Sequence, residues 1–143
     1  MQSDSMGHSV TTESAEAAAA IDRAGVSYVG WRTDIMDHIA AAIEADPGFA
    51  LPYAAKGIFM LGQRKPELEP PARKMLAAAG NARPPETERE RRYIAALAAS
   101  IDGRLTDAIT HYEAIAQQNP HDLLALRLAQ FELFWLGEVD WMR

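Results

Sequence analysis

Apolar residues recur at steps of three and four along most of the chain, which is the spacing of one face of an α-helix. This spacing predicts helices over about 14–29, 34–45, 50–61, 72–79, 87–103, 106–118 and 122–136. Between the second and third of these, Pro47 disfavours the α conformation at Asp46, and Gly48 lets the chain turn at little cost. We therefore expect a series of helices joined by short turns.

Residues suited to helix ends support this division of the chain. Small polar residues that can cap the starts of helices are Ser14 or Thr12, Thr33, Thr87 and Thr106. Thr87 and Glu90 have the spacing of a capping box, in which each side chain bonds the backbone of the other. Proline-rich loops are expected at 62–71 and 82–86, and Gly137 is expected to end the last helix.

The helical pattern repeats itself along the chain. Gly30 and Pro47 precede Gly103 and Pro120 by the same 73 residues, and Gly103 precedes Gly137 by 34 residues. A period of 34 residues made of two helices is the length of the tetratricopeptide repeat. Since 73 is two such periods plus five residues, an irregular unit is expected between the two matching ones.

Two segments carry a resemblance to that repeat. GRLTDAITHYEAIAQQNPHD (103–122) resembles the second helix of a tetratricopeptide repeat and the turn after it. AIEADPGFALPYAAKG (42–57) resembles the same junction, with Tyr53 and Gly57 at the aromatic and small positions of the next first helix. Over about residues 10–143, the chain also resembles the N-terminal part of tetratricopeptide repeat protein 38-like proteins.

The resemblance implies an all-α fold, an α-solenoid of stacked antiparallel helix pairs that form a right-handed superhelix. A flexible tail, 1–11, is expected before the repeat domain, 12–143. The repeat units are expected at about 14–48, 49–86 (irregular, with an insertion), 87–121 and 122–143 (incomplete). The signature positions are Gly30, Pro47, Tyr53, Gly57, Gly103, Ala108, Tyr112, Pro120 and Gly137. At Gly57, the missing side chain is expected to let a neighbouring helix approach closely.

The C-terminal end of the repeat array is expected to be open. Members of the family are longer, and the last predicted helix has no second helix to pair with. Its apolar residues, which include Phe131, Phe134 and Trp135, would then be exposed. We expect a fragment of a longer protein, with downstream repeats or self-association covering this helix. The alternative is that the N-terminal segment folds back over it.

Composition narrows the class of protein. With 27 Ala, the chain is rich in the best helix former. The net charge of −6 argues against binding to duplex nucleic acid, and the chain has no Cys for disulfides or thiolate chemistry. No apolar run approaches the roughly 20 residues of a membrane span, and MQSDSMGHSV lacks the pattern of a signal peptide. A soluble, cytoplasmic protein is expected.

No residue pattern predicts catalysis, so no catalytic, cofactor-binding or metal site is expected. The four His, at positions 8, 38, 111 and 121, include no pair at helical ligand spacing. The acidic pairs Glu67–Glu69 and Asp34–Asp37 lie in loops or at helix starts, where acidic residues favour the helix dipole. The basic run at 89–93 has acidic neighbours that can pair with it.

The expected function is a non-catalytic protein-interaction scaffold that binds a protein or peptide. In the family, the first helix of each repeat lines the concave surface. By register, the candidate binding face is Ile58, Leu61, Tyr93, Leu97, Arg127, Phe131 and Phe134, with Ala54 beside them. This lining is apolar and favours an apolar or amphipathic segment. Two alternatives remain: an enzyme or enzyme subunit whose active site lies in downstream repeats, and a structural cap of a larger assembly.

Overall fold

The computed structural model describes residues 1–30 and 33–141, which form an all-α fold. The helices are α1 (Ala15–Val29), α2 (Ile35–Ala45), α3 (Ala50–Gly62), α4 (Glu69–Asn81), α5 (Glu88–Ile101), α6 (Leu105–Gln118) and α7 (Leu123–Trp141). Two short strands, β1 (Gln2–Ser3) and β2 (Ser9–Val10), precede them, and a 3-10 turn (Pro66–Leu68) leads into α4. The all-α prediction is confirmed.

Consecutive helices pack together as pairs. The pairs are α1 with α2, α3 with α4, and α5 with α6, and α7 packs against α6. Further contacts join α3 to α5 and α1 to α7, so the first helix also touches the last. The largest fully buried side chains include Tyr112, Phe49, Ile39, Leu97 and Ile115, which place the core between these helices.

Several helix ends differ from the predicted ones. α4 begins at Glu69 rather than at 72, because Pro70 and Pro71 occupy its first turn, where backbone amides have no helical partner. The predicted stop at Gly137 is wrong: α7 continues to Trp141. A glycine inside a helix costs only about 1 kcal/mol, which the rest of the helix can offset.

The predicted caps are partly confirmed. Ser14 caps α1, and its side chain accepts a hydrogen bond from the amide of Ala17. Thr87 caps α5, and its hydroxyl accepts from the amide of Glu90, as the capping box predicts. The other two predicted caps are wrong by one or two residues, since the residues before α2 and α6 are Asp34 and Arg104.

Gly57 is a point of close approach between helices, as the sequence predicted. A Cβ atom placed on Gly57 would lie 2.7 Å from Cδ2 of Leu97 on α5 and 3.3 Å from Cβ of Met75 on α4. Real Cβ atoms do not approach other atoms so closely, so a side chain at this position would force Leu97 to move. The absence of a side chain therefore allows α3 to pack against α4 and α5 together.

Residues 2–10 form a small antiparallel hairpin, in which Gln2 pairs with Val10 and Ser3 with Ser9. Gly7 turns the chain with a φ of 85°, a conformation that glycine adopts readily. Val10 is buried. The flexibility predicted for 1–11 stays a prediction, but the structure gives this segment paired strands and contacts with the helices.

None of the helices within residues 1–30 and 33–141 combines the length and the apolar character needed to cross a membrane.

Candidate functional site

The structure separates the residues of the predicted concave face into three groups. Leu97 is fully buried, and Leu61 packs against the core. Ile58 and Tyr93 line a cavity inside the molecule. Arg127 and Phe131 line a shallower cleft, and Phe134 is exposed. The predicted face is thus divided between the core, the inner cavity and the surface of α7.

The inner cavity has a volume of about 260 Å³. It lies between the hairpin, α1, α3 and the first turns of α5 and α7. Most of its wall is apolar, and this part includes Ile21, Ala24, Leu51, Ala55, Ile58 and Leu128. An enclosed apolar space with a few polar groups at one side is the usual form of a small-molecule site.

The polar side of the cavity is a connected cluster that we call the Arg89 cluster, formed by Asp4, His8, Arg89, Tyr93 and Asp122. Nε of Arg89 donates to Asp122 at 2.7 Å, and the hydroxyl of Tyr93 donates to the same carboxylate at 2.8 Å. Arg89 also lies 3.8 Å from a carboxylate oxygen of Asp4. These side chains are nearly buried, so each charge depends on its neighbours in the cluster.

Burial and charge set the protonation states of the Arg89 cluster. Burial and the neighbouring Asp122 carboxylate raise the pKa of Tyr93 well above its usual value, so its phenol keeps its proton. Burial alone would lower the pKa of Arg89, but Asp122 outweighs this effect and raises it. The Nη1 atom of Arg89 is buried and has no hydrogen-bond partner among the described residues.

His8 is the one member of the Arg89 cluster with a ring nitrogen left over. Its Nδ1 atom lies 3.1 Å from Oδ2 of Asp4. Because a carboxylate accepts hydrogen bonds, we assign the proton to Nδ1, which leaves Nε2 as an acceptor in the neutral ring. Within the described part of the chain, Nε2 has no hydrogen-bond partner.

The hairpin that covers the cavity is tied to α5 by Glu90, whose side chain is fully buried. Glu90 accepts hydrogen bonds from the amide of Thr11 at 3.0 Å, from the hydroxyl of Thr11 at 2.6 Å, and from the hydroxyl of Thr87. The sequence indicated Glu90 as part of a capping box, but its bonds to Thr11 join residues that no local pattern connects.

The outer side of α7 carries an apolar stripe that we call the α7 face, formed by Leu123, Leu126, Leu133 and Phe134. These side chains are between 46% and 60% exposed. The opposite side of α7 carries the buried residues Ala125, Leu128 and Ala129. Exposure at this helix was predicted, although the side chain of Trp135 lies outside the described residues and Phe131 is half-buried.

The cleft beside the α7 face lies between α1 and α7 and is lined by Tyr28, Arg127, Gln130 and Phe131. The guanidinium of Arg64 lies over the ring of Phe131, 5.5 Å from its centre. Arg64 also pairs with Glu132 at 2.8 Å. Aromatic rings and cations therefore border the apolar stripe on this side.

The other titratable candidates lie apart from one another. His38 pairs with Asp34 on its own helix, and His111 lies 3.3 Å from Arg92. Burial, and then the charge of Arg92, lower the pKa of His111. Among the described residues, no group of three or more His, Asp or Glu side chains is arranged to hold a metal ion.

No family model matches the chain, and no solved structure matches it. The geometry of the cavity and of the α7 face is therefore the basis on which its function is argued.

Proposed function

We propose that the chain is a non-catalytic protein-interaction scaffold of the tetratricopeptide repeat type, in which stacked helix pairs present the α7 face to an amphipathic helix. The observation that carries this proposal is that α7 is apolar on both sides. A helix that is apolar all round is typical of a position between two packed layers.

The pairing of consecutive helices supports the repeat architecture of this proposal. In such repeats, the first helix of a unit packs between the second helix of the preceding unit and its own partner. α7 packs on α6 in this manner. Its open side is where a pairing helix would lie, so the expected occupant is a helix with an apolar stripe of its own.

Groups around the stripe add specificity. Arg127 stands beside the α7 face and takes part in no hydrogen bond or ion pair among the described residues. Gln130 lies between Leu126 and Phe134 on the same side of the helix and is exposed. An occupant with an acidic residue beside its apolar stripe would meet this cation, whereas a basic one would be repelled.

Site-specific photo-crosslinking in cells tests the proposal. A photoreactive phenylalanine analogue at Leu126 is expected to crosslink to a protein, with the crosslinked residue lying in an amphipathic helix. The same analogue at Gln117, an exposed position on α6, is the matched control. Crosslinks at 126 that exceed those at 117 support the proposal; equal or absent crosslinks at the two positions contradict it.

A substitution adds a second measurement. Leu126→Glu places a charge in the centre of the α7 face and is expected to abolish the crosslinks of a reporter at Leu133, with unchanged helical circular dichroism because Leu126 makes no core contact. The cytoplasmic location expected from the sequence stays a prediction.

A further inference from the structure

We infer that the inner cavity is a binding site for a small, uncharged, apolar molecule that ends in a hydroxyl group. This site is separate from the α7 face, with which it shares only Leu123. The inference stands on the size of the cavity, on the internal neutralisation of its charges and on the free ring nitrogen of His8.

The volume sets the size of the molecule. A cavity of about 260 Å³ corresponds to about nine water molecules, at the roughly 30 Å³ that each occupies in the liquid. Water is a poor occupant of most of this space, because Ile21, Leu51 and Ile58 offer it no hydrogen bonds. An aliphatic chain of about eight carbons fits the same volume and buries its apolar surface there.

The charges of the Arg89 cluster exclude an ionised ligand. Asp4 and Asp122 together outnumber the single guanidinium of Arg89, so the cluster has no surplus positive charge for a carboxylate. A cation gains little, because the carboxylates are already occupied: Asp4 accepts from two backbone amides and from His8, and Asp122 accepts from Arg89, Tyr93 and an amide. An ion would also lose its hydration in the apolar part of the cavity.

His8 supplies the position for one polar group. Its Nδ1 atom is held by Asp4, and the opposite nitrogen, Nε2, has no protein partner among the described residues. A hydroxyl suits this nitrogen in either protonation state, because it can donate to a neutral ring and accept from a charged one. A ketone or an ester can only accept, so neutral His8 offers it no hydrogen bond at this nitrogen.

Nuclear magnetic resonance titration of the ¹⁵N-labelled chain with 1-octanol tests the inference. Saturable shifts are expected at the amides of cavity residues such as Ala24 and Ala55, and at the Nε2 resonance of His8. Octanoate and octylammonium are expected to bind at least tenfold more weakly. Equal or tighter binding of either ion would overturn the inference, and so would octanol shifts that leave Nε2 of His8 unchanged.

A cavity-filling variant provides the matched control. Gly25 lines the cavity, and a Cβ atom there would meet only Leu124, at an ordinary 3.8 Å. Gly25→Leu is therefore expected to fold and to reduce octanol affinity at least tenfold. Gly80→Leu makes the same change in α4, where a Cβ atom has open space around it, and is expected to leave octanol binding unchanged.

The two variants also decide the case in which octanol binds elsewhere. If Gly25→Leu binds octanol as tightly as the original chain does, the cavity is not the site and the inference fails. If the original chain shows no saturable shifts, the cavity is a packing space without a ligand of this class. Neither result bears on the α7 face, whose crosslinks are measured at Leu126 and do not depend on octanol.

Discussion

Helices α3 and α7 occupy equivalent places in the repeat but have opposite surroundings. Each follows a helix that ends at an Asp or Asn before a proline, and the two helices are offset by 73 residues. In α3, Gly57 lies in tight contact with two neighbouring helices. The corresponding residue of α7, Gln130, is exposed, as is Leu126, which corresponds to Tyr53. The repeat therefore specifies a helix and its start, whereas its neighbours decide which sides are covered.

The turns before the two helices share their backbone geometry. Asp46 and Asn119 have φ and ψ of −149° and 89°, and of −131° and 77°. In each turn, the amide three residues later donates to the carbonyl of this residue: Phe49 to Asp46, and Asp122 to Asn119. The proline after each of them prevents the helix from continuing. This backbone turn is the element that the two units have in common.

The side chains of the two turns differ in what they join. The carboxylate of Asp46 accepts from Thr12 in the segment before α1, from Arg83 in the loop before α5, and from the amide of Gly48. The amide group of Asn119 donates to the carbonyl of Ile115 in its own helix. The first turn thus joins three segments of the chain, while the second one only closes its own helix.

The largest expected effect is that of Asp122→Ala, at the start of α7. The substitution leaves the buried guanidinium of Arg89 with one fewer counter-charge and the hydroxyl of Tyr93 without its acceptor. We expect the free energy of unfolding to fall by about 3–5 kcal/mol, as for other broken buried ion pairs, measured by urea denaturation. Asp107→Ala, at an exposed pair with Arg104, is the control, and equal losses for the two would contradict the prediction.

The next effect compares α3 and α7 directly. Gly57→Val forces Leu97 out of its position, and we expect a loss of about 2–3 kcal/mol from overpacking. Gln130→Val, at the equivalent position of α7, is expected to change stability by less than about 0.5 kcal/mol. Both values come from urea denaturation. Similar losses at 57 and 130 would show that the two helices are covered alike.

A smaller effect separates the two turns. Asp46→Ala removes hydrogen bonds to Thr12, Arg83 and Gly48, and we expect a loss of about 1–2 kcal/mol in thermal or chemical unfolding. Asn119→Ala removes one bond within its own helix and is expected to cost about 0.5 kcal/mol. If Asn119→Ala costs as much as Asp46→Ala, the first turn does not join segments more strongly than the second.

The smallest effect is a dependence on pH at the first turn. Burial alone would raise the pKa of Asp46, but hydrogen bonds from Arg83 and Thr12 outweigh it and lower the pKa below the usual value of about 3.9. The stabilisation from ionised Asp46 is therefore complete above about pH 4 and is lost as the pH falls through the lower, folded-state value.

Acid titration of unfolding measures this dependence. We expect the original chain to lose more stability than Asp46→Asn does when the pH falls from 5 to 3, because the amide of the variant does not titrate. Parallel stability curves for the two proteins over this range would show that Asp46 contributes no pH dependence.

The local parts of the fold could be predicted from the sequence. Helix existence follows from the spacing of apolar residues, and the capping box at Thr87 and the close approach at Gly57 follow from residue type and neighbours. The missed ends have a shared cause. Pro70, Pro71 and Gly137 are unfavourable only in certain positions of a helix, and packing decides which positions they occupy.

The candidate site could not be predicted in the same way. His8 and Arg89 lie 81 residues apart, and Thr11 lies 79 residues from Glu90. Their contacts depend on the folded arrangement of the hairpin and α5, for which a single sequence offers no periodic signal. The basic run at 89–93 was visible, but its division is not local: Arg89 is nearly buried, whereas Arg91 is exposed.

The bond between Thr11 and the buried Glu90 has a consequence for the order of folding. It closes a loop of 79 residues, and contacts between such distant segments form slowly and late. During synthesis, which proceeds from the N-terminal end, the hairpin emerges long before the carboxylate that anchors it. The α1–α2 and α3–α4 pairs, whose contacts are local, are complete before then. The first residues to be made are thus among the last to reach their final place.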